Sequence, residues 1–204
     1  MARIEFFFDV SSPWTYLAFE AVQPLAAEFG AELVWRPLLV GGVFNAVNPN
    51  LYDARANNLP VKTAYMRKDL ADWTRHVGIP RLVFPPKVFP VNSVKAMRAC
   101  ILLQDDPRFL TFARKCFEAY FGADLDISQD AVLRDICKAA EVDADWLLAG
   151  VGEAKVKDAL RANVEELIAR GGYGSPTLFL DGDDMYFGND RLPLLRDALE
   201  RKRA

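Results

Sequence analysis

The octapeptide Asp9-Val10-Ser11-Ser12-Pro13-Trp14-Thr15-Tyr16 constrains this chain more than any other stretch. It follows Ile4-Glu5-Phe6-Phe7-Phe8, an apolar run that predicts a buried strand over residues 3–8. It precedes Trp14, Leu17, Ala18, Ala21, Val22 and Leu25, whose spacing predicts a helix over residues 13–29. A strand entering a helix through Ser-Pro puts Ser12 at the N-cap and Pro13 at the first helical position. The free backbone N–H groups and the helix dipole then favour negative charge beside Ser12, such as a thiolate or another anion. Two readings stay open on these residues alone: Ser12 as a plain cap, and Ser12 as part of an anion site.

The rest of the chain reads as two αβ pieces around a helical block. Leu33-Val34-Trp35-Arg36-Pro37-Leu38 predicts a second strand, parallel to the first; Pro37 makes it an edge strand or ends it there. Pro24 should kink or break the first helix, and Gly30 should close it. Residues 40–60, with Gly41-Gly42, Asn45 and Asn48-Pro49-Asn50, read as a loop, either functional or a linker. From about residue 61 to 170 the period is helical: Met66, Leu70, Trp73 and Val77, then Phe109, Phe112, Cys116 and Tyr120, then Val156, Leu160, Val164 and Leu167. Ser128 and Asp143 are expected helix caps. Thr177–Asp181 and Met185–Phe187 predict a hairpin, followed by a helix over residues 192–199. The expected domains are therefore 1–60 with 171–204, and a helical insertion at 61–170.

Composition removes several function classes. A formal charge of −3 gives no general affinity for nucleic acid or anionic membranes. The N-terminal residues lack a secretory apolar region and no apolar run reaches membrane-spanning length, so the expected address is cytoplasmic. The 3 cysteines, Cys100, Cys116 and Cys137, are far apart and sit on apolar helix faces, as buried thiols do. No Cys-x-x-Cys pair exists for redox chemistry, and no metal site is expected. The single histidine, His76, lies in a polar helical segment and is a poor candidate for a serine triad.

The order βαβ, helices, Ser-Pro, hairpin and helix resembles the DsbA-like group of thioredoxin folds. In that group a Cys-x-x-Cys opens the first helix and a cis-proline faces it. Here Ser12-Pro13-Trp14-Thr15 occupies the cysteine positions and Pro176 that of the proline. Without those cysteines the protein cannot itself exchange dithiol for disulfide. Serine followed by proline resembles the kappa-class glutathione transferases and, more closely, the 2-hydroxychromene-2-carboxylate isomerases. Four more stretches agree, in the family's order: Arg36-Pro37-Leu38 with Gly41-Gly42-Val43-Phe44; Phe89-Pro90-Val91-Asn92-Ser93; Tyr173-Gly174-Ser175-Pro176; and Phe187-Gly188-Asn189-Asp190-Arg191-Leu192.

The resemblance implies a thioredoxin-like α/β fold with a large helical insertion, a homodimer, and glutathione as the external thiol. Ser12 would be the catalytic residue, donating a hydrogen bond to the glutathione thiolate; Ser11 is the substitute. Trp14 offers a nearby N–H. The backbone of Ser175, before a cis Pro176, would pair with the cysteinyl part of glutathione. Asn189 and Asp190 would hold the γ-glutamyl carboxylate and ammonium, and Asn48 would add a contact. The implied reaction interconverts 2-hydroxychromene-2-carboxylate and trans-o-hydroxybenzylidenepyruvate by thiolate addition, rotation and elimination. Lys62, Arg36 and Lys87 are candidates to meet the substrate carboxylate. The helical block's aromatics would wall an apolar cleft over Ser12. The alternatives are a glutathione-consuming transferase or peroxidase, and a non-catalytic glutathione-binding module.

Overall fold

The structure is a computed structural model in which residues 1–47 and 59–203 are described. Strand β1 (Arg3–Phe8) lies inside a four-stranded sheet of order β2-β1-β3-β4. β1 runs parallel to β2 (Glu32–Pro37) and antiparallel to β3 (Thr177–Leu180), which pairs with β4 (Asp184–Phe187). Successive side chains of a strand point to opposite faces. Ile4, Phe6 and Phe8 therefore enter the main core, while Phe7 joins Leu38, Val43, Leu167 and Phe179 on the other face. Both faces are covered, which explains why β1 reads as a continuous apolar run rather than an alternation.

Helix α1 (Pro13–Phe29) packs on the main-core face. It ends at Gly30, whose φ of +61° is left-handed and natural for glycine. α1 is unbroken through Pro24, contrary to the expected break. Pro24 lies on the exposed side, where water can satisfy the carbonyl it leaves free. Val22, Leu25 and Ala26 are buried and hold the helix down on both sides of it.

Residues 40–47 form a helix, α2 (Val40–Val47), where a loop was expected. Gly41-Gly42 looks like a loop signal, but both residues lie inside the helix, and Gly42 faces Val164. A Cβ there would lie 3.5 Å from Val164 Cγ1, on α8 (Ala154–Ala169). α2 and α8 together cover the Phe7 face of the sheet.

Between them in sequence come α3 (Pro60–Val77), α4 (Val94–Leu102), α5 (Phe109–Phe117), α6 (Asp130–Ala139) and α7 (Ala144–Gly150). Glu118–Gly122 extends α5 as a wider π turn. Asp143 caps α7, accepting from the N–H groups of Asp145 and Trp146. Ser128 does not cap α6; Gln129 holds that position without a side-chain bond, and Asp126 takes the Ser128 N–H instead. The chain closes with a 3₁₀ turn, Asn189–Arg191, and helix α9 (Leu192–Arg203), which reaches beyond the expected end at Leu199.

Candidate active site

The β1–α1 junction builds the site. Ser12 is the N-cap of α1 in extended conformation, and its Oγ accepts the Thr15 N–H at 3.3 Å. Pro13 is the first helical residue, and the first turn carries no acidic side chain to neutralise the helix N-terminus. Both cap expectations hold.

Ser175–Pro176 is a cis peptide bond, as expected, and it faces this junction. The Ser12 hydroxyl donates to the Ser175 carbonyl at 3.3 Å. The Ser175 Oγ lies 2.9 Å from Thr15 Oγ1 and accepts the Asp9 N–H at 3.0 Å. Ser12, Thr15, Asp9 and Ser175 thus form one hydrogen-bonded cluster from chain segments about 160 residues apart. An incoming thiolate would compete with the Ser175 carbonyl for the Ser12 proton. At 3.3 Å that bond is long, so the exchange costs little.

Beyond Pro176 the cradle continues. Gly188 N–H donates to the Pro176 carbonyl at 3.0 Å, which carries the hairpin straight into Asn189 and Asp190. Asn189 is 5% exposed, and its Nδ2 is buried without a hydrogen-bond partner. A buried donor left unpaired is costly, and a carboxylate acceptor would satisfy it. This amide fits the glutathione expectation. Asp190 is exposed and pairs with Arg191, Oδ2 to Nη1 at 2.6 Å. Trp14 is half-buried beside the main core. Asn48 lies outside the described residues.

The structure moves the aromatic surface. Phe109, Phe112, Phe117, Tyr120 and Phe121 of the helical block are at most 3% exposed, so they are core and wall no cleft over Ser12. The aromatics beside Ser175 are instead Tyr173 and Phe187, with ring centroids 4.4 Å apart and Tyr173 49% exposed. Gly174 lets them close in, since a Cβ there would meet Phe187 Cε2 at 2.7 Å. A pocket of about 200 Å³ runs along α1 away from Ser12, between α3 and α9, lined in part by Leu17, Trp73, His76, Asn189 and Leu192.

Of the candidate cations, Arg36 is ion-paired to Glu166 and lies over the Phe7 ring, on the sheet face opposite α1. Lys87 pairs with Asp124 at 3.3 Å. Lys62 stands exposed on the first turn of α3.

Asp9 was given no role by sequence reasoning. It is 1% exposed, and its carboxylate accepts from Ser11 N at 2.9 Å, Val40 N at 2.9 Å and Ser93 Oγ at 3.2 Å. Burial raises its pKa above the usual carboxylate value, against the opposing pull of those hydrogen bonds. The one available signal was an Asp two residues before a serine, the pattern of an Asx-turn. Burial pushes the Cys100 and Cys116 thiols well up, which leaves both unreactive. Among the described residues no group of three His, Cys, Asp or Glu could hold a metal, and no helix is long and apolar enough to cross a membrane.

This fold and site define a thioredoxin-like protein with serine in place of the redox cysteine at the helix start. The chain belongs to the DsbA-like thioredoxin domain family, whose model matches residues 3–200. It is 29% identical over 208 residues to a kappa glutathione transferase (kappa 2) of Caenorhabditis elegans, covering 96% of this chain and 91% of that one. It is 27% identical over 202 residues to 2-hydroxychromene-2-carboxylate isomerase of Pseudomonas putida, covering 97% and 94%. A solved 2-hydroxychromene-2-carboxylate isomerase superposes with a TM-score of 0.82 at 24% identity, over 98% of this chain and 95% of that one. The curated relatives are thus isomerases and glutathione transferases that it matches over nearly their full length.

Proposed function

We propose that this chain is a glutathione-dependent isomerase that interconverts 2-hydroxychromene-2-carboxylate and trans-o-hydroxybenzylidenepyruvate. The observation that carries the reading is the Ser12 hydroxyl at the α1 N-terminus, 3.3 Å from the carbonyl before cis Pro176. A serine without a base is a poor nucleophile, but it is a good donor to a thiolate. The thiol must then come from outside, and glutathione suits the unpaired Asn189 amide. Ser12 and the first turn of α1 favour its ionised form. The Ser175 backbone aligns the cysteinyl residue, Pro13 and Trp14 shape the wall beside it, and Asp190 meets the α-ammonium.

The thiolate adds to the conjugated carbon of the substrate and the ring opens. What was a double bond becomes single and rotates; elimination then returns the thiol unchanged. Glutathione is a cofactor here, the substrate an aromatic hydroxy- or oxo-carboxylate, and the enzyme a cytoplasmic homodimer. A second reading, a transferase that consumes glutathione, draws support from the kappa-class relative at 29% identity.

Equilibrium binding of glutathione, followed by fluorescence of the adjacent Trp14, tests the common part of both readings. Saturable quenching that Asn189→Leu weakens supports them. A fluorescence unmoved by millimolar glutathione refutes them.

A further inference from the structure

We propose that Asp9 is a positioning residue for Ser12: its carboxyl group and its backbone fix the hydroxyl against the α1 N-terminus. For its consequence in turnover this rests on the reading of Ser12 as thiolate donor; its geometry stands alone. Both carboxylate oxygens meet only donors. Oδ1 takes the Ser11 N–H at 2.9 Å, which closes an Asx-turn over Asp9, Val10 and Ser11, immediately before Ser12. Oδ2 takes the Val40 N–H at 2.9 Å, from the first residue of α2, and the Ser93 hydroxyl at 3.2 Å, ahead of α4. The backbone completes the hold. Asp9 C=O accepts the Ser12 N–H at 3.3 Å, and Asp9 N–H donates to Ser175 Oγ at 3.0 Å.

The bonds close into a ring. From Asp9 N–H it passes to Ser175 Oγ, to Thr15 Oγ1, through the Thr15 N–H to Ser12 Oγ, and back through the Ser12 N–H to Asp9. Asp9 also ties that ring to the starts of α2 and α4, which flank it. A buried carboxylate is expensive to keep unless it is well bonded. Here three donors that belong to three chain segments bond it, so the site is drawn together around one carboxyl group.

Asparagine is the informative change. Its amide offers one acceptor and one NH₂ group, so it must turn that NH₂ toward the Ser11 or the Val40 N–H. One backbone donor then loses its acceptor, and the turn that carries Ser12 loosens.

The test uses Ser12→Cys as a reporter, independent of glutathione. The pH dependence of iodoacetamide alkylation gives the pKa of the introduced thiol. The native Cys100, Cys116 and Cys137 are buried and stay silent, as does Tyr120. Adding Asp9→Asn should raise the midpoint by about one pH unit, about tenfold slower alkylation below it. An unchanged midpoint with a lowered melting temperature makes Asp9 framework only and overturns the proposal. A lowered midpoint makes Asp9 merely a nearby negative charge and overturns it too. If Asp9→Asn does not fold, Ser93→Ala removes one bond to Oδ2 without adding a donor. It should slow alkylation about twofold to threefold; no change refutes the proposal. A wild-type protein that binds no glutathione would refute the functional reading and leave these alkylation results standing.

Discussion

Ser12→Ala isolates the hydroxyl from the helix. In the resting site the hydroxyl accepts the Thr15 N–H and donates to the Ser175 carbonyl, both at 3.3 Å. Alanine removes both bonds but leaves the first turn of α1, with no acidic side chain to offset its dipole. Loss of the cap should cost about 1 kcal/mol of stability, a few degrees in melting temperature for a chain of this size. The effect on bound glutathione is larger. One charge-assisted hydrogen bond to a thiolate contributes about 1.5–3 kcal/mol. Its loss should therefore raise the thiol pKa by about one to two units. The remaining dipole still contributes about 0.3–1 kcal/mol, so the thiol should not return fully to its free value. Ultraviolet thiolate absorbance, titrated with saturating glutathione, reads the midpoint directly. An unchanged midpoint in Ser12→Ala, with a shift in Ser11→Ala, would refute the assignment and move the donor role to Ser11.

Three further outcomes follow from the same geometry. Asp190→Asn should raise KM for glutathione while kcat holds, because the pairing proposed for it with the ammonium would be the same in ground and transition states; steady-state kinetics decide, and a collapsed kcat would contradict it. Gly174→Ala places a methyl 2.7 Å from Phe187 Cε2, so it should destabilise the fold by about 1–3 kcal/mol, seen as a lower denaturation midpoint. The Asp106 carboxyl, lowered to about 2 by its hydrogen bonds from Arg108, should titrate there by NMR. Its contribution to stability is present above the unfolded value of 3.8 and is lost as pH falls from 3.8 through about 2; Arg108→Ala should reduce that acid-side slope, the backbone N–H at 108 keeping part of it.

The parts of this protein that were legible in sequence are those whose causes are local. Ser12-Pro13 announces a helix start because cap and first-turn chemistry sit in adjacent residues, and Gly30 announces its end for the same reason. The alternation in β1 stayed hidden, because apolar residues occupy both of its faces. Glu5, only 7% exposed, breaks the apolar run because it pairs with Arg170 at 2.8 Å on the Phe7 face. That arginine lies 3.8 Å from the Phe179 ring centroid, a contact no spacing rule could supply. The role of Ser175–Pro176 came from resemblance, since nothing local marks a proline as the partner of a serine some 160 residues earlier.

What stayed hidden depends on distant partners. α2 was missed because Gly41-Gly42 imitates a loop, and the helix is held by Val40 and Val43 packing against Leu167 and Phe179, far along the chain. Asp9 was missed because its donors Val40 and Ser93 lie 31 and 84 residues away. The aromatic wall was misplaced because periodicity marks a side chain as apolar without saying whether the core or a cleft receives it. Phe112 and Phe117 went to the core, while Tyr173, outside any periodic stripe, remained at the surface beside Ser175.

The most direct test of the central claim is one reaction mixture. It contains the protein, trans-o-hydroxybenzylidenepyruvate and a trace of glutathione, with the chromene spectrum and the free thiol followed together. The account predicts many substrate turnovers per glutathione, approach to the same equilibrium from either isomer, and a thiol concentration that does not fall. One thiol lost for each product formed, or no conversion while glutathione is tightly bound, would contradict it.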